Sequence, residues 1–441
     1  MLPTFRKVAP RWAGLTRGSF IRLFFLFFAP CGALRSVAMF TASADAAAAL
    51  NHLTANGTIR IRRTVYWRQG EGSDSRLDRW LGIHDTGVSI AARELCCRAT
   101  VTGPSFRKSA ENLERLGQIK VSSTRLRLIV ENEGRQAIRC RDKKLIRPEW
   151  DVSDCTTSVN GPTRIMVGSD GVMVPLITQS EKQKRRKNRR PRRRKKAKGQ
   201  TAIARKRRRK SQKPKRCRGA DNPYKEFKIV TFYSQDHQCQ HAVGTAGNHH
   251  ALGRLMRREA AKLRLDKADE KISISDGAKW IRKQFQVRLP MLDAMILDYY
   301  HLSEHVAKAA NVCFGQGGDK AEQWRTKTLS AVYEDGPAAM LVLINQTRKT
   351  VRAKAKREEL RKLEQYVGER AEMLDYSAFR EQGFDIGSGP TEAFCKTLTA
   401  RLKGSGMRWD SPNAEGMMAL AALDQTGQWN AYWTLQNALA A

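Results

Sequence analysis

Two successive stretches, KISISDGAKWIRKQF at residues 271–285 and DAMILDYYHLSEHVAKAA at residues 293–310, decide the fold class. Each begins with a short apolar run typical of a buried strand and continues with the spacing of an amphipathic helix. The first strand reaches Asp276 and the second reaches Asp298. A strand and a helix that repeat in this order predict an α/β domain.

Further strands are predicted on the N-terminal side of these two stretches. Residues 163–178, TRIMVGSDGVMVPLIT, are rich in β-branched and apolar side chains, and Asp170-Gly171 predicts a turn that opens a β-hairpin. The strand pattern resumes at residues 224–233 and 239–245, and a helix is predicted from about residue 250 to 265. We therefore expect three strands, then helix, strand, helix and strand, as in a mixed sheet flanked by helices.

Helical sequence lies on either side of this core. Residues 302–383 contain little but charged, helical sequence and predict a helical insertion. Residues 41–158 also read as mostly helical, and their clearest part is a helix-turn-helix candidate at 105–134. There a glycine at 117 can stop one helix, and Ser122 or Ser123 can cap the next. The second helix would turn Arg125 and Arg127 outward to DNA, although an ordinary helical hairpin with solvated arginines fits equally.

The charge balance predicts a polyanionic partner. The chain has 441 residues, a formal net charge of +38 and a pI near 10.3, and Lys or Arg bound to phosphates releases condensed counterions. Residues 181–218 alone hold 23 Lys and Arg and one acid. We therefore expect this segment to be a disordered loop that binds phosphates without recognising bases. The arginines that represent this loop are Arg192, Arg193, Arg194, Arg207, Arg208 and Arg209.

The cysteines and the N-terminal leader bear on where the protein works. Nine scattered cysteines without a C-x-x-C pair predict neither a disulfide framework nor a four-ligand zinc site. Basic residues followed by an apolar run of about 12 residues at 23–34 resemble a secretory signal, but the run is too short to span a membrane. Initiation at Met39 would also explain this leader, and we expect a cytoplasmic rather than an exported protein.

Three acids lie at positions where a carboxylate would cost free energy unless it served a function. Asp170 lies at the predicted turn, Asp276 ends a strand beside a glycine, and Glu392 lies in the first turns of a helix that begins near Pro390. Carboxylates are ligands for Mg²⁺ or Mn²⁺, and two such ions can serve phosphodiester chemistry. Acids at strand ends are more often caps or turn formers, so spacing alone leaves both interpretations open.

The helix after Pro390 also predicts cations for a DNA backbone. Phe394, Leu398 and Leu402 would face the core, whereas Glu392, Lys396, Thr399 and Lys403 share another face. In the following segment, RLKGSGMRW, Arg408 flanks a glycine-rich turn and Trp409 would either stack on a base or pack against the last helix.

Several strings together resemble the RNase H-like DDE transposases of bacterial insertion sequences, with a distant similarity to mutator-type enzymes. They are VGSDGVMVPL, ISDGAKWI, ILDYYHLSEH, IGSGPTEAFCKTLTARLKGSGMRW and WNAYW, between about Ile165 and Trp433. The closest kind carries the C-terminal signatures S-G-x-x-E-x-x-C-K and K-x-S-G-M-R-W. The long basic insertion and the leader depart from that family.

The resemblance implies a role for each matching residue. Asp170, Asp276 and Glu392 would be the catalytic acids that hold two Mg²⁺ or Mn²⁺ ions. Asp298 rivals Asp276 as the second acid, and we favour Asp276 because its glycine would leave room for metal and phosphate. His301, in a D-x-x-H motif, would steady the site or touch the scissile phosphate, although a structural histidine fits as well; His305 is a weaker candidate.

The implied function is a DNA transposase that cleaves element ends and joins them to target DNA. Double-stranded DNA would be the partner, no stable membrane partner is expected, and a homodimer or higher oligomer would pair two ends at the bacterial nucleoid. A catalytically inactive DNA-binding relative and an RNase H-like structure-specific nuclease remain as alternatives. The implied segments are the leader 1–40, a DNA-binding domain 41–158, an RNase H-like core at 159–180, 219–301 and 384–433, the basic loop 181–218, the helical insertion 302–383 and a tail 434–441.

Overall fold

The structure, a computed structural model, describes residues 47–64, 66–68, 72–75, 87–155, 161–187, 222–404 and 407–440. The leader, the six arginines chosen to represent the basic loop, and Ser405 and Gly406 lie outside the described residues. The chain divides into two compact units, residues 1–45 with 66–74 and residues 46–65 with 75–441. The second unit begins with a hairpin of β1 (Ala47–Thr54) and β2 (Gly57–Thr64), and the first contains the antiparallel pair β3 (Tyr66–Arg68) and β4 (Gly72–Asp74). All elements that follow belong to the second unit.

A five-stranded mixed sheet confirms the predicted α/β fold. Its strands are β5 (Arg164–Leu176), β6 (Asn222–Ser234), β7 (Gln240–Thr245), β8 (Glu270–Ser275) and β9 (Ala294–Leu297), in the order β7-β6-β5-β8-β9. β6 runs antiparallel to both of its neighbours, whereas β5, β8 and β9 are parallel. The strands lie close to the predicted positions, apart from the turn predicted inside β5, because their apolar residues are buried by helices.

The predicted hairpin turn at Asp170-Gly171 is wrong. β5 continues through both residues, and its ladder to β6 stays in register from Ile165 to Val174. Asp-Gly favours a turn only where a strand can end. Here Val172 and Val174 beyond the pair are buried like the residues before it, so burial extends the strand past the turn signal.

Helices cover both faces of the sheet. On one face lie α5 (His249–Lys262) and α6 (Lys279–Arg288), which share a hydrophobic cluster with Val167 and Val230. On the other face, beside β8 and β9, lies the predicted helical insertion: α7 (Tyr299–Phe314), α8 (Asp319–Glu334), α9 (Pro337–Thr350), α10 (Lys354–Gly368) and α11 (Tyr376–Glu381). A short helix, α4 (Gln179–Lys187), follows β5 and forms the start of the basic loop.

The N-terminal region is only partly as predicted. Residues 47–64 form the hairpin β1–β2 instead of a helix, because the alternating pattern of GTIRIRRT has the period of a strand. The helices are α1 (Ile90–Val101), α2 (Phe106–Gly117) and α3 (Ser123–Asp142). Ser122 caps α3 and Gly117 is the last residue of α2, as predicted, but α3 continues well past residue 134.

The N-terminal helices share a core with the C-terminal helices α12 (Gly389–Lys403), α13 (Ser411–Gln425) and α14 (Trp429–Ala440). α3 packs directly on α13, and a Cβ added at Gly134 would lie 2.8 Å from the backbone of Gly416. Residues 87–155 are therefore part of one compact unit with the sheet and no boundary separates them at residue 158. The predicted tail, 434–441, is wrong for its described part, because residues 434–440 complete α14 and Gln436 is buried.

Candidate active site

Three acids occupy one register position, where the parallel ladders of β5, β8 and β9 end. β5 pairs with β8 up to Ser169 opposite Ser275, and β8 pairs with β9 up to the same serine. The residues that follow, Asp170, Asp276 and Asp298, therefore stand side by side across strands about 4.8 Å apart. This edge of the sheet concentrates negative charge.

Helix α12 brings Glu392 to the same edge. Its first turn crosses β5 at Gly168, where an added Cβ would overlap Thr391 Oγ1. That hydroxyl also shares a buried hydrogen bond of 2.8 Å with Thr231 on β6. One turn further, the buried Cys395 thiol contacts the Asp170 carboxyl. The close approach of α12 to the sheet thus sets where Glu392 stands.

Glu392 meets Asp298 and His301, since one ligand atom of each lies within 4.8 Å of the other two. The Asp276 carboxylate is close enough to raise the pKa of both Asp170 and His301, and the charge of His301 acts on Asp170 in the opposite direction. We call Asp170, Asp276, Asp298, His301 and Glu392 the acid cluster. The structure therefore brings together all four residues predicted to be catalytic and adds Asp298.

Asp298 and Asp276 differ in what holds their carboxylates. Asp298 is fully buried and accepts backbone hydrogen bonds from His301, at 3.0 Å, and from Ser388, at 2.5 Å. Burial favours its protonated form, but the hydrogen bonds from His301 and Ser388 lower its pKa to about 2. Asp276 is half-buried and accepts from the Ala278 N–H at 2.9 Å. Asp298 thus caps α7 and fixes the loop before α12, whereas Asp276 keeps a partly exposed carboxylate.

Burial and neighbouring charges shift the pKa values of Asp170 and His301 in the acid cluster. Burial raises the pKa of Asp170, and the neighbouring Asp276 carboxylate raises it further, although the Gly171 N–H bonds its Oδ1 at 2.6 Å. The Asp298 carboxylate raises the pKa of His301 to about 9, with Nδ1 3.5 Å from Oδ1, which is an ion-pair distance. His301 is therefore positively charged at neutral pH, and it is a cation among acids.

Gly277 allows a tightly packed backbone turn and does not open space beside Asp276. Its φ is +67°, and an added Cβ would lie 2.7 Å from Leu297 and 2.9 Å from Arg370 Nε. The backbone there is left-handed and packed, which only glycine tolerates without strain. The expectation that Gly277 leaves room for metal and phosphate is therefore wrong, and the preference for Asp276 rests on its partial exposure instead.

Two residues that the sequence did not indicate support Asp276 from the helical insertion. Arg370 donates to the Gly277 carbonyl at 3.0 Å, and Tyr366 donates to the Asp276 carbonyl at 3.3 Å. The ring of His305 stacks on Tyr366 with centroids 4.0 Å apart. His305 is therefore an exposed residue whose ring packs on Tyr366. Tyr366 and Arg370 lie about 90 residues along the chain from Asp276, and no sequence pattern links such distant partners.

Of the four DNA-binding residues predicted in the C-terminal part, three are exposed and one is buried. Lys396 lies 3.9 Å from Glu392, with 80% of its side chain exposed, and Lys403 and Arg408 are also exposed. Trp409 is buried, with Phe106 5.7 Å away between ring centroids, so it has no free face for a base and the packing interpretation holds.

The predicted DNA-reading face of α3 is smaller than expected. Arg125 is half-buried and donates to the Gly87 carbonyl at 3.1 Å, which ties α3 to the chain before α1. Arg127 is exposed, at 3.8 Å from Glu131. Leu126, Ile129 and Val130 face the core as predicted. Of the two arginines, only Arg127 thus presents a solvent-facing charge.

Comparison with family models finds a match in the C-terminal half of the chain. Residues 259–434 match the model of an uncharacterised protein family, UPF0236, and this segment includes Asp276, Asp298, His301 and Glu392 but not Asp170. The chain matches no curated protein. Among the described residues, no helix is long and apolar enough to cross a membrane.

Proposed function

We propose that this protein is a metal-dependent DNA transposase. Water would hydrolyse the phosphodiester at an element end and free a 3′-hydroxyl, which would then attack a phosphodiester of target DNA and displace its 3′-oxygen. The observation that carries the proposal is the placement of Asp170 beside Asp276, where the ladder between β5 and β8 ends, together with the contact of Glu392 on α12 with Asp298 and His301. The strand order and directions are those of an RNase H-like sheet, which supports the same conclusion.

The donor set fits divalent cations. Asp170, Asp276 and Glu392 offer hard carboxylate oxygens, which Mg²⁺ and Mn²⁺ prefer. The raised pKa of Asp170 reflects burial and the repulsion of Asp276, and a cation would relieve that repulsion. When bound, two ions would activate the attacking oxygen and stabilise the leaving oxygen of a phosphodiester.

The other residues of the acid cluster position this set. Asp298 holds the N terminus of α7 and the loop before α12, so it fixes the distance between His301 and Glu392. His301, as a cation, would attract a DNA phosphate to an edge that is otherwise negative. Lys396, one turn after Glu392, would hold the backbone on the outer side.

Nicking of a supercoiled plasmid that carries the element ends tests the proposal. We expect Mg²⁺-dependent nicks and strand-transfer products from the wild type, and losses of about a hundredfold or more in Asp276→Asn and in Glu392→Gln. Glu372→Gln, an exposed acid of the helical insertion, is the matched control and should retain full activity.

Each other outcome has a defined meaning. Nicking that survives both substitutions would refute the assignment of the acids. DNA binding by a folded wild type that never nicks would favour the inactive relative. Nicks without joined products, at high concentrations of target DNA, would favour a structure-specific nuclease.

A further inference from the structure

A wide groove lies away from the acid cluster. It has a volume of about 1300 Å³ and runs between α5 and the segment that includes the end of α3 and residues 143–154. Nine of the residues that line it are Lys or Arg and five are Asp or Glu, so its walls carry a net positive charge. We call it the basic groove.

The deeper cations of the basic groove are engaged with the protein itself. Arg141 donates to the Gly244 carbonyl at 2.8 Å and lies 3.6 Å from Glu415. Arg258 and Lys262 both contact the buried carboxylate of Glu259, at 3.1 Å and 3.0 Å. These side chains hold α3, β7 and α5 together and form a rigid floor.

Four of the five acids of the basic groove are engaged as well. Asp142 lies 3.1 Å from Arg141, and Glu415 also accepts a hydrogen bond of 2.8 Å from Thr245. Asp151 and Asp154 cap a single helical turn at residues 152–154 through each other's backbone. Glu149, the fifth acid, is exposed, so one of the five carboxylates stays available beside the cations of the rim.

The rim carries exposed cations on both sides. Lys144 and Arg147 lie on one wall, and Arg254 and Arg257 lie on the facing wall. Within the residues that the structure describes, none of these four forms an ion pair with a carboxylate at 4.0 Å or less. Cations that face each other across a groove raise the positive potential inside it, and this potential would attract a polyanion into the groove.

One end of the groove reaches the edge of the sheet that holds the acid cluster. Thr245, which lines the groove, pairs with Lys228 on β6, and Lys228 pairs with Gly171 on β5. Two strand spacings are about 10 Å, so the backbone at Thr245 lies about that far from the residue next to Asp170. A backbone bound along the groove would thus lead toward the acid cluster.

We propose that the basic groove binds the sugar–phosphate backbone of duplex DNA and delivers it to the acid cluster. This inference rests on the proposed function for its choice of polyanion. Phosphates along the duplex would meet Lys144 and Arg147 on one side and Arg254 and Arg257 on the other. Contacts of this kind position DNA without reading its sequence.

The salt dependence of binding tests the groove in the full chain. Lys144→Gln, Arg147→Gln and Arg254→Gln combined should weaken binding of a labelled duplex about equally for all sequences. The slope of log affinity against log salt should fall by about 2 to 3, or roughly 0.9 for each phosphate contact. Lys349→Gln, Arg352→Gln and Lys354→Gln combined remove the same charge from an exposed part of the helical insertion and should leave the slope unchanged. Equal slopes in the two variants would overturn the proposal.

Photo-crosslinking gives the location independently of cleavage. In an Asp276→Asn background, p-benzoylphenylalanine in place of Arg257 should crosslink to the duplex, whereas the same replacement at Arg352 should not. Absence of a DNA crosslink at residue 257, or capture of an acidic protein there in preference to DNA, would overturn the proposal. A crosslink at residue 257, together with a wild type that never nicks DNA, would instead refute the proposed function and leave the groove proposal intact.

Discussion

Gly168 controls the position of the candidate active site at the scale of a single residue. Its missing side chain lets α12 approach β5 so closely that Thr391 fills the space a Cβ would need. The same face of β5 carries Asp170 two residues later, and α12 carries Glu392 next to Thr391. The distance between the first and third acids therefore depends on this contact.

Gly168→Ala should move α12 away from the sheet. We expect a loss of about 1 to 3 kcal/mol in unfolding free energy from overpacking, and a larger proportional loss of nicking because Glu392 moves with the helix. Urea unfolding and a nicking assay on the same preparation check the two effects. Thr391→Ala added to Gly168→Ala should restore part of the stability, and an unaltered nicking rate in the single variant would contradict the expected displacement.

At the scale of elements, α3 and α13 form the contact that joins the N-terminal helices to the rest of the unit. Both helices use glycines where they cross, Gly134 and Gly416, so their backbones come closer than side chains would allow. The buried face of α3 is therefore used for packing, and only its opposite face is open to a partner. The exposed face of α3 still includes Arg127, Arg135 and Arg139.

Gly134→Val should separate α3 from α13. An added Cβ would lie 2.8 Å from the backbone of Gly416, and backbone cannot move as a flexible side chain can. We expect a loss of about 3 kcal/mol, measured as a lower midpoint in urea unfolding. Gly368→Ala is the control, because an added Cβ there meets nothing within 4 Å, and its midpoint should stay the same or rise. Equal midpoints for Gly134→Val and the wild type would show that the crossing is not tight in solution.

At the scale of the whole molecule, positive charge is divided between the basic loop and the folded surface. The net charge is +38, and residues 181–218 supply 23 Lys and Arg against one acid. The start of this segment is α4, where Lys182 pairs with Asp410. A deletion that tests the loop should therefore leave α4 in place.

Replacement of residues 188–216 by a glycine–serine linker of equal length should weaken DNA binding. Because most of the removed side chains are cations, we expect affinity to fall about equally for element ends and unrelated duplexes, and the salt dependence to flatten. Fluorescence anisotropy at several salt concentrations measures both. Loss of preference for element ends alone would mean that residues 188–216 read sequence.

Local sequence patterns predicted most of the elements correctly. The apolar runs before Asp276 and Asp298 and the helices after them follow from side-chain periodicity alone. Ser122 and Gly117 marked helix ends correctly, because helix ends depend on neighbouring residues only, although the left-handed residue after α2 is Gln118 and not the glycine. The turn predicted at Asp170 does not form, because the residues beyond it are buried and the strand continues.

The sequence by itself determined the α/β order of elements and the large positive charge, because these depend on composition and on residues near one another in the chain, and its resemblance to a known family singled out three candidate acids. Only the tertiary structure decided that Asp298 is a buried cap, that Trp409 and Arg125 serve packing, and that Arg370 and Tyr366 support Asp276. The basic groove also belongs to this second group. Each depends on partners brought together from distant parts of the chain by burial and hydrogen bonding, and such partners leave no local pattern.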